Sequence, residues 1–255
     1  MSIGFPTNTV ILIIAAMVGT GIGSWLILSE GLAKLQVAPR IKARWRWGAA
    51  IVLSIWLLAR LVPAATQSSV APAAVNIAFP VVALLIGIMA LLLSPVLRQS
   101  IRAVPTTWMS AIHAIRIGGY LFLALADMKL LPAEFAVPAG YGDMVVALLA
   151  LGIVYLLVRG KTYTRPLMIA WNLLGLLDFA VALTTGGIYI APFAAHLAAS
   201  GVSLTYLNFV LIIPTFGVPL FAVLHIFSLY RLWSEHAQEP VQASVFSREQ
   251  ESARL

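Results

Sequence analysis

An all-α bundle of seven membrane-spanning helices is the fold this sequence predicts. Three observations carry it: seven apolar runs of bilayer-crossing length, basic residues that alternate between the connections, and a chain that is 61% hydrophobic and 10% charged over 255 residues. Soluble domains carry about 25% charged residues, with their apolar positions in periodic stripes. The composition therefore excludes a soluble globular domain, a disordered chain and a nucleic-acid binder.

A helix crossing the hydrocarbon core needs about 20 mostly apolar residues. The runs fall near 8–29, 48–66, 75–96, 104–126, 137–158, 166–186 and 204–230. Each must be helical, because the bilayer core offers no water to an unpaired backbone group. The first, fifth and last are the most apolar; the fourth is the most polar, since it holds His113 and Arg116. Residues 1–233 form the membrane domain, and the mixed-charge stretch 234–255 reads as a polar cytoplasmic tail. The N-terminal segment lacks a basic n-region and a small-residue cleavage site, so the first run is expected to remain as a helix.

The basic residues orient the bundle. Lys34, Arg40, Lys42, Arg44 and Arg46 precede the second run, Arg98 and Arg102 follow the third, Arg159, Lys161 and Arg165 follow the fifth, and Arg231, Arg248 and Arg254 follow the last. Only Lys129 lies on the other set of connections, and Arg60 and Arg116 are inside runs. The positive-inside rule then places the N-terminus outside and the C-terminus in the cytoplasm. Trp45, Trp47, Trp108 and Trp233 are expected at the inner boundary as an aromatic belt. Gly19 and Gly23 allow close helix contact, either within the chain or with a second copy. A loose pattern (Asn76, Pro80, Ser94, Arg98 against Asn208, Pro214, Ser228, Arg231) relates the third and seventh runs, with unequal spacings.

Ionisable side chains inside a span are expensive and face the bundle interior as functional candidates. There are four: Arg60, Arg116, Asp143 and Asp178. Counting from the run ends at about 1.5 Å per residue, Arg116 and Asp178 fall near the midplane, Arg60 and Asp143 in the outer third. This predicts two opposite-charge pairs at matching depths, the outer one open to snorkelling and the midplane one to a purely structural role. On an α-helical wheel His113, Arg116, Tyr120 and Asp127 form one stripe, fit to line a hydrated path or to be simply the inward face. Trp171, Gly175, Asp178 and Thr185 form another, from which Asn172 is turned away by about 120°.

His113 and His225 both fall in the inner half, so two imidazoles from different helices are candidate axial ligands for a haem. No other cofactor is indicated. There is no metal-binding histidine spacing, hydrolase elbow or phosphate-cradling glycine loop, and the absence of cysteine removes thiol chemistry. No catalytic residues are assigned, and the balance is against an enzyme.

The segments PAEFAVPAGYGDMVVAL, WNLLGLLDFAVAL and LIIPTFGVPLFAVLHIFSLYRL combine Pro, Gly, Asp, Asn and His in a specific way. Over about His113 to Leu232 the chain resembles small uncharacterised bacterial membrane proteins. The resemblance implies residence in the bacterial inner membrane and no particular substrate. The functional expectation is a small-solute or proton-linked transporter or channel with a midplane polar cluster. The alternatives are a membrane redox protein holding a haem or metal on its intramembrane histidines, and a non-catalytic assembly or sensing subunit. Its expected partners are the lipid bilayer, a small polar ligand or proton, and a second copy of the chain.

Overall fold

A computed structural model describes residues 7–67, 70, 73–160 and 164–234. The tail from 235, with His236, Arg248 and Arg254, lies outside the described residues, as does Lys161. Among the described residues there are helices and no strands.

Eight helices follow one another: α1 (Thr7–Ala33), α2 (Pro39–Thr66), α3 (Ala73–Leu93), α4 (Pro95–Ala103), α5 (Thr106–Asp127), α6 (Ala133–Val158), α7 (Thr164–Ala199) and α8 (Thr205–Ser234). All but α4 are long and apolar enough to cross a membrane, which makes this a multi-pass membrane protein. Each covers most or all of one of the seven apolar runs.

Two helices extend well past their runs. Helix α2 begins at Pro39, where proline's missing N–H is no loss at a first helical position, and it carries Arg40, Lys42, Arg44 and Arg46 on its first turns. Helix α7 continues through Pro192 to Ala199, so His196 stands exposed on its last turn rather than in a loop. Helix α4 arises because Ser94 and Pro95 end α3: the Ser94 hydroxyl accepts from the Leu97 N–H at 3.1 Å, and Pro95 starts the new helix. It buries Leu97, Ser100 and Ile101 and closes on α1 at Gly31, whose missing side chain leaves space for the Ser100 carbonyl. Ser94 is thus a cap, whereas Ser228 lies within α8, so the two helices of the suggested repeat use these serines differently.

The most enclosed helix is α8, with 72% of its apolar window buried, against 44% for α5 and 6% for α2. Two large clusters of buried side chains wrap α8, one around Leu207, Leu211 and Phe216 and the other around Phe221, Leu224 and Phe227. Helix α2 instead shows lipid-facing residues such as Ile51, Ile55 and Leu58 to the outside. Gly19 and Gly23 face Ile115 and Ile112 of α5, so the glycine pair serves packing within the chain.

Charge segregates along the bundle. The Arg102 guanidinium lies 5.4 Å from the Tyr230 ring, and Arg165 donates to the Leu232 carbonyl at 3.2 Å, which gathers α4, the start of α7 and the end of α8 at one basic end. At the opposite end Tyr206 donates to the Leu130 carbonyl at 3.0 Å and Asn208 to the Gln67 carbonyl at 3.1 Å. Lys129 is the one lysine or arginine described in the connections there.

Candidate functional site: a guanidinium held by three helices

Helix α5 changes its winding in mid-membrane. From Ile112 to Gly119 it is a 3₁₀-helix of eight residues, well beyond the usual three or four. Residues three apart eclipse one another in this form, and His113, Arg116 and Gly119 all point into the bundle. The tighter winding corrects the expected stripe. Tyr120, four residues past Arg116, would lie about 40° away on an α-helix; at three residues per turn the offset grows to about 120°. Tyr120 is accordingly 65% exposed on the lipid side, and Asp127 is exposed at the helix end.

Arg116 is 4% exposed, and each guanidinium nitrogen meets a different helix. Nε donates to Asp143 Oδ1 of α6 at 2.7 Å, Nη2 to Asp178 Oδ2 of α7, and Nη1 to His225 Nε2 of α8 at 3.1 Å. The Phe179 ring lies beneath the guanidinium at 4.0 Å. Guanidinium is a donor only. His225 Nε2 must therefore accept, which places the ring proton on Nδ1 and makes this imidazole neutral. Nδ1 then donates to Asn172 Oδ1 at 2.8 Å, and Asn172 Nδ2 donates to Ser228 Oγ at 3.0 Å and the Met168 carbonyl at 2.8 Å. A directed hydrogen-bond chain thus runs from Arg116 through His225 and Asn172 to Ser228.

The Arg116–Asp178 pair forms as expected, but Asp143 joins it instead of pairing with Arg60. The reason is where α6 begins. Its first residue is Ala133, four before the apolar run, so Asp143 lies about 15 Å into the helix at 1.5 Å per residue rather than about 9 Å. Arg116 likewise lies ten residues from the start of α5, counted from the other end of the bundle. Arg60 turns to neutral oxygens: Nε donates to Thr215 Oγ1 at 3.0 Å and Nη2 to Asn76 Oδ1 at 3.2 Å, with the Phe79 ring at 4.9 Å.

Asn172 and Ser228 are the members that sequence reasoning missed. Asn172 is indeed rotated from Asp178, but Gly175 lies midway between them on the wheel. With no Cβ there, the His225 ring seats directly against α7; an added Cβ would overlap Nε2. From that seat one ring reaches both flanks of the helix. Ser228 shows a plain signal in retrospect, since it stands three residues from His225.

The structure also brings the two histidines together, though not as an axial pair. Their rings stack at 4.0 Å between centroids, tilted by 35°, with Trp171 edge-on to both at 5.0 and 4.8 Å. Both nitrogens of His225 are engaged, and the stacked rings leave no gap for a macrocycle between them. These residues do not fit a haem. His113 is fully buried, and neither of its ring nitrogens has a hydrogen-bond partner.

The carboxylates border empty space. A cavity of about 10 Å³, at the lower bound for a single water, touches Asp143 and Asp178. It adjoins a larger cavity of about 50 Å³ on the side of the opposite end, where Asn76 and Ile77 of α3 face Gly186 and Gly187 of α7. The two share Phe135, Ala182, Leu183 and Pro214. The space exists because α7 carries two glycines and two alanines there and because α8 widens. Ile213–Gly217 forms a π-helical turn at Pro214, with the Val218 N–H returning to the Ile213 carbonyl. Pro219 leaves the Thr215 carbonyl without its helical donor, and the Trp56 indole N–H takes that place at 3.1 Å.

Fold and site define a polytopic helical membrane protein built around a buried arginine clasped by two aspartates. Within that class, the chain belongs to the family described as Domain of unknown function (DUF8737), whose model matches residues 72–233, from α3 to α8. All members of the Arg116 network lie inside the matched region. No curated protein and no solved structure matches the chain.

Proposed function

We propose that this protein is a proton-linked transporter of a small solute in a bacterial inner membrane, with its N-terminus outside, its basic end in the cytoplasm, and Asp178 and Asp143 as the proton-exchanging pair. One observation carries the reading: two carboxylates share one guanidinium at mid-depth, beside a cavity that leads toward the opposite end. With His225 neutral, the cluster has one negative charge more than it can match internally. A bare buried charge is strongly disfavoured. A proton on one carboxylate, or a cation arriving through the cavity, restores neutrality, and exchange between the two links proton movement to solute movement. The segregation of Lys and Arg to one end supports the orientation.

The test is proton flux into liposomes carrying an internal pH dye, driven by a potassium diffusion potential. Asp178→Asn leaves Arg116 matched by Asp143 alone, so the variant should fold, with an unchanged melting profile, and lose flux. Unchanged flux in Asp178→Asn, or wild-type flux no greater than that of empty liposomes, would overturn the reading.

A further inference from the structure

At the basic end, away from the Arg116 cluster, α1 and α2 splay apart. Between them lies a cavity of about 400 Å³ bordered by Ser29, Lys42, Arg46 and the rings of Trp25 and Trp47. Arg46 Nη2 donates to the Ser29 carbonyl at 3.1 Å, and the Arg46 carbonyl accepts from the Trp25 indole at 2.9 Å, so the guanidinium is held in place. Its Nε is nonetheless buried without a partner, and so is Ser29 Oγ. Lys42 reaches only a backbone oxygen, that of Ala33 at 2.9 Å. Among the described residues the acidic groups in ion pairs are Glu30, bonded to Lys34 at 3.0 Å, and the two aspartates on Arg116. No acidic side chain borders the cavity. Two cationic side chains therefore border one space with no acidic partner in it, and the residues around it include two buried polar atoms without a hydrogen bond.

That space adjoins a second across Trp25 and Trp47. Trp25 and Trp47 also border an apolar groove of about 560 Å³ that follows α1 and α2 past Ala50 and Leu57 to Leu61, with Phe216 as its floor. From Trp47 to Leu61 the groove is about 21 Å long at 1.5 Å per residue, more than the roughly 15 Å of hydrocarbon in one leaflet.

We propose that these adjoining spaces bind one anionic phospholipid, its phosphate on Arg46 and Lys42 and one acyl chain in the groove between α1 and α2. The charge complementarity selects an anion, and the Arg46 guanidinium and Lys42 ammonium that border the cavity form short, charge-assisted bonds to phosphate oxygens. The groove selects a lipid over free phosphate, which would leave the apolar half unfilled. Basic pockets between membrane helices on the cytoplasmic side are known lipid headgroup sites.

Native mass spectrometry of the detergent-purified protein, titrated with phosphatidylglycerol and with phosphatidylcholine of the same chains, tests the site. Phosphatidylglycerol should be retained at least tenfold more strongly and should raise the melting temperature. Arg46→Gln with Lys42→Gln should abolish that preference, whereas Arg159→Gln, a basic-end residue away from the cavity, should keep it. Ala50→Trp, which fills the groove, should weaken phosphatidylglycerol retention as well. Equal retention of the two lipids by the wild type would overturn the proposal without recourse to any variant. So would an equal loss in Arg159→Gln, or a stabilisation by inorganic phosphate as large as that by phosphatidylglycerol.

Discussion

Arg116 and Arg60 are the two arginines inside the spans, and the bundle treats them in opposite ways. Arg116, near the midplane, meets two carboxylates, an imidazole and an aromatic face. Arg60, six residues from the end of α2, meets one hydroxyl, one amide oxygen and one ring, all neutral. Depth explains the contrast. A guanidinium near the boundary keeps part of its hydration by snorkelling and needs only neutral acceptors. One at mid-depth has no such recourse and holds full counter-charges.

The contrast can be broken from its strong side downward. Arg116→Met leaves two facing carboxylates with no cation, and loss of one partner of a buried pair costs about 3–5 kcal/mol. We expect poor accumulation and aggregation on size exclusion, with recovery when Asp143→Asn and Asp178→Asn are added. If Arg60→Met is equally damaging, depth is not the deciding variable.

Gly175→Ala is expected next in size. Its methyl would displace the His225 ring from α7, an overpacking penalty of about 1–3 kcal/mol, visible as a lowered melting temperature; an unchanged one would mean that the ring seat is not tight. Arg60→Met should cost less, about 1 kcal/mol or under, in line with hydrogen bonds between membrane helices that average about 0.6 kcal/mol. Trp56→Phe should have the smallest effect, about 0.6 kcal/mol, by freeing the Thr215 carbonyl. Pro219→Ala restores a helical N–H to that carbonyl, so in its background Trp56→Phe should cost nothing further in the same thermal assay.

Much of this was legible before the structure. The seven runs all became helices, and the partnership of Arg116 with Asp178 followed from depth alone, whereas the stacking of His113 on His225 was not foreseen. Tyr120 and Asp143 were misplaced for separate reasons. Tyr120 required knowing that α5 tightens to three residues per turn, for which Ile112–Gly119 carries no clear local signature. Asp143 required the true start of α6, which lies in a stretch (PAEFAVP) that apolar length does not mark.

The sequence by itself determined that the chain is a seven-span helical membrane protein and that its basic residues alternate between connections. Both are sums of local transfer free energies, and neighbours do not alter them. Only the tertiary structure decided that Asp143 would complete the Arg116 site instead of pairing with Arg60, that His225 would rest on Gly175, and that Trp56 would answer the carbonyl Pro219 leaves open. Those outcomes depend on helix starts, on winding and on the rotation of one helix against another. Each of these shifts a side chain by several ångströms, the difference between a hydrogen bond and none.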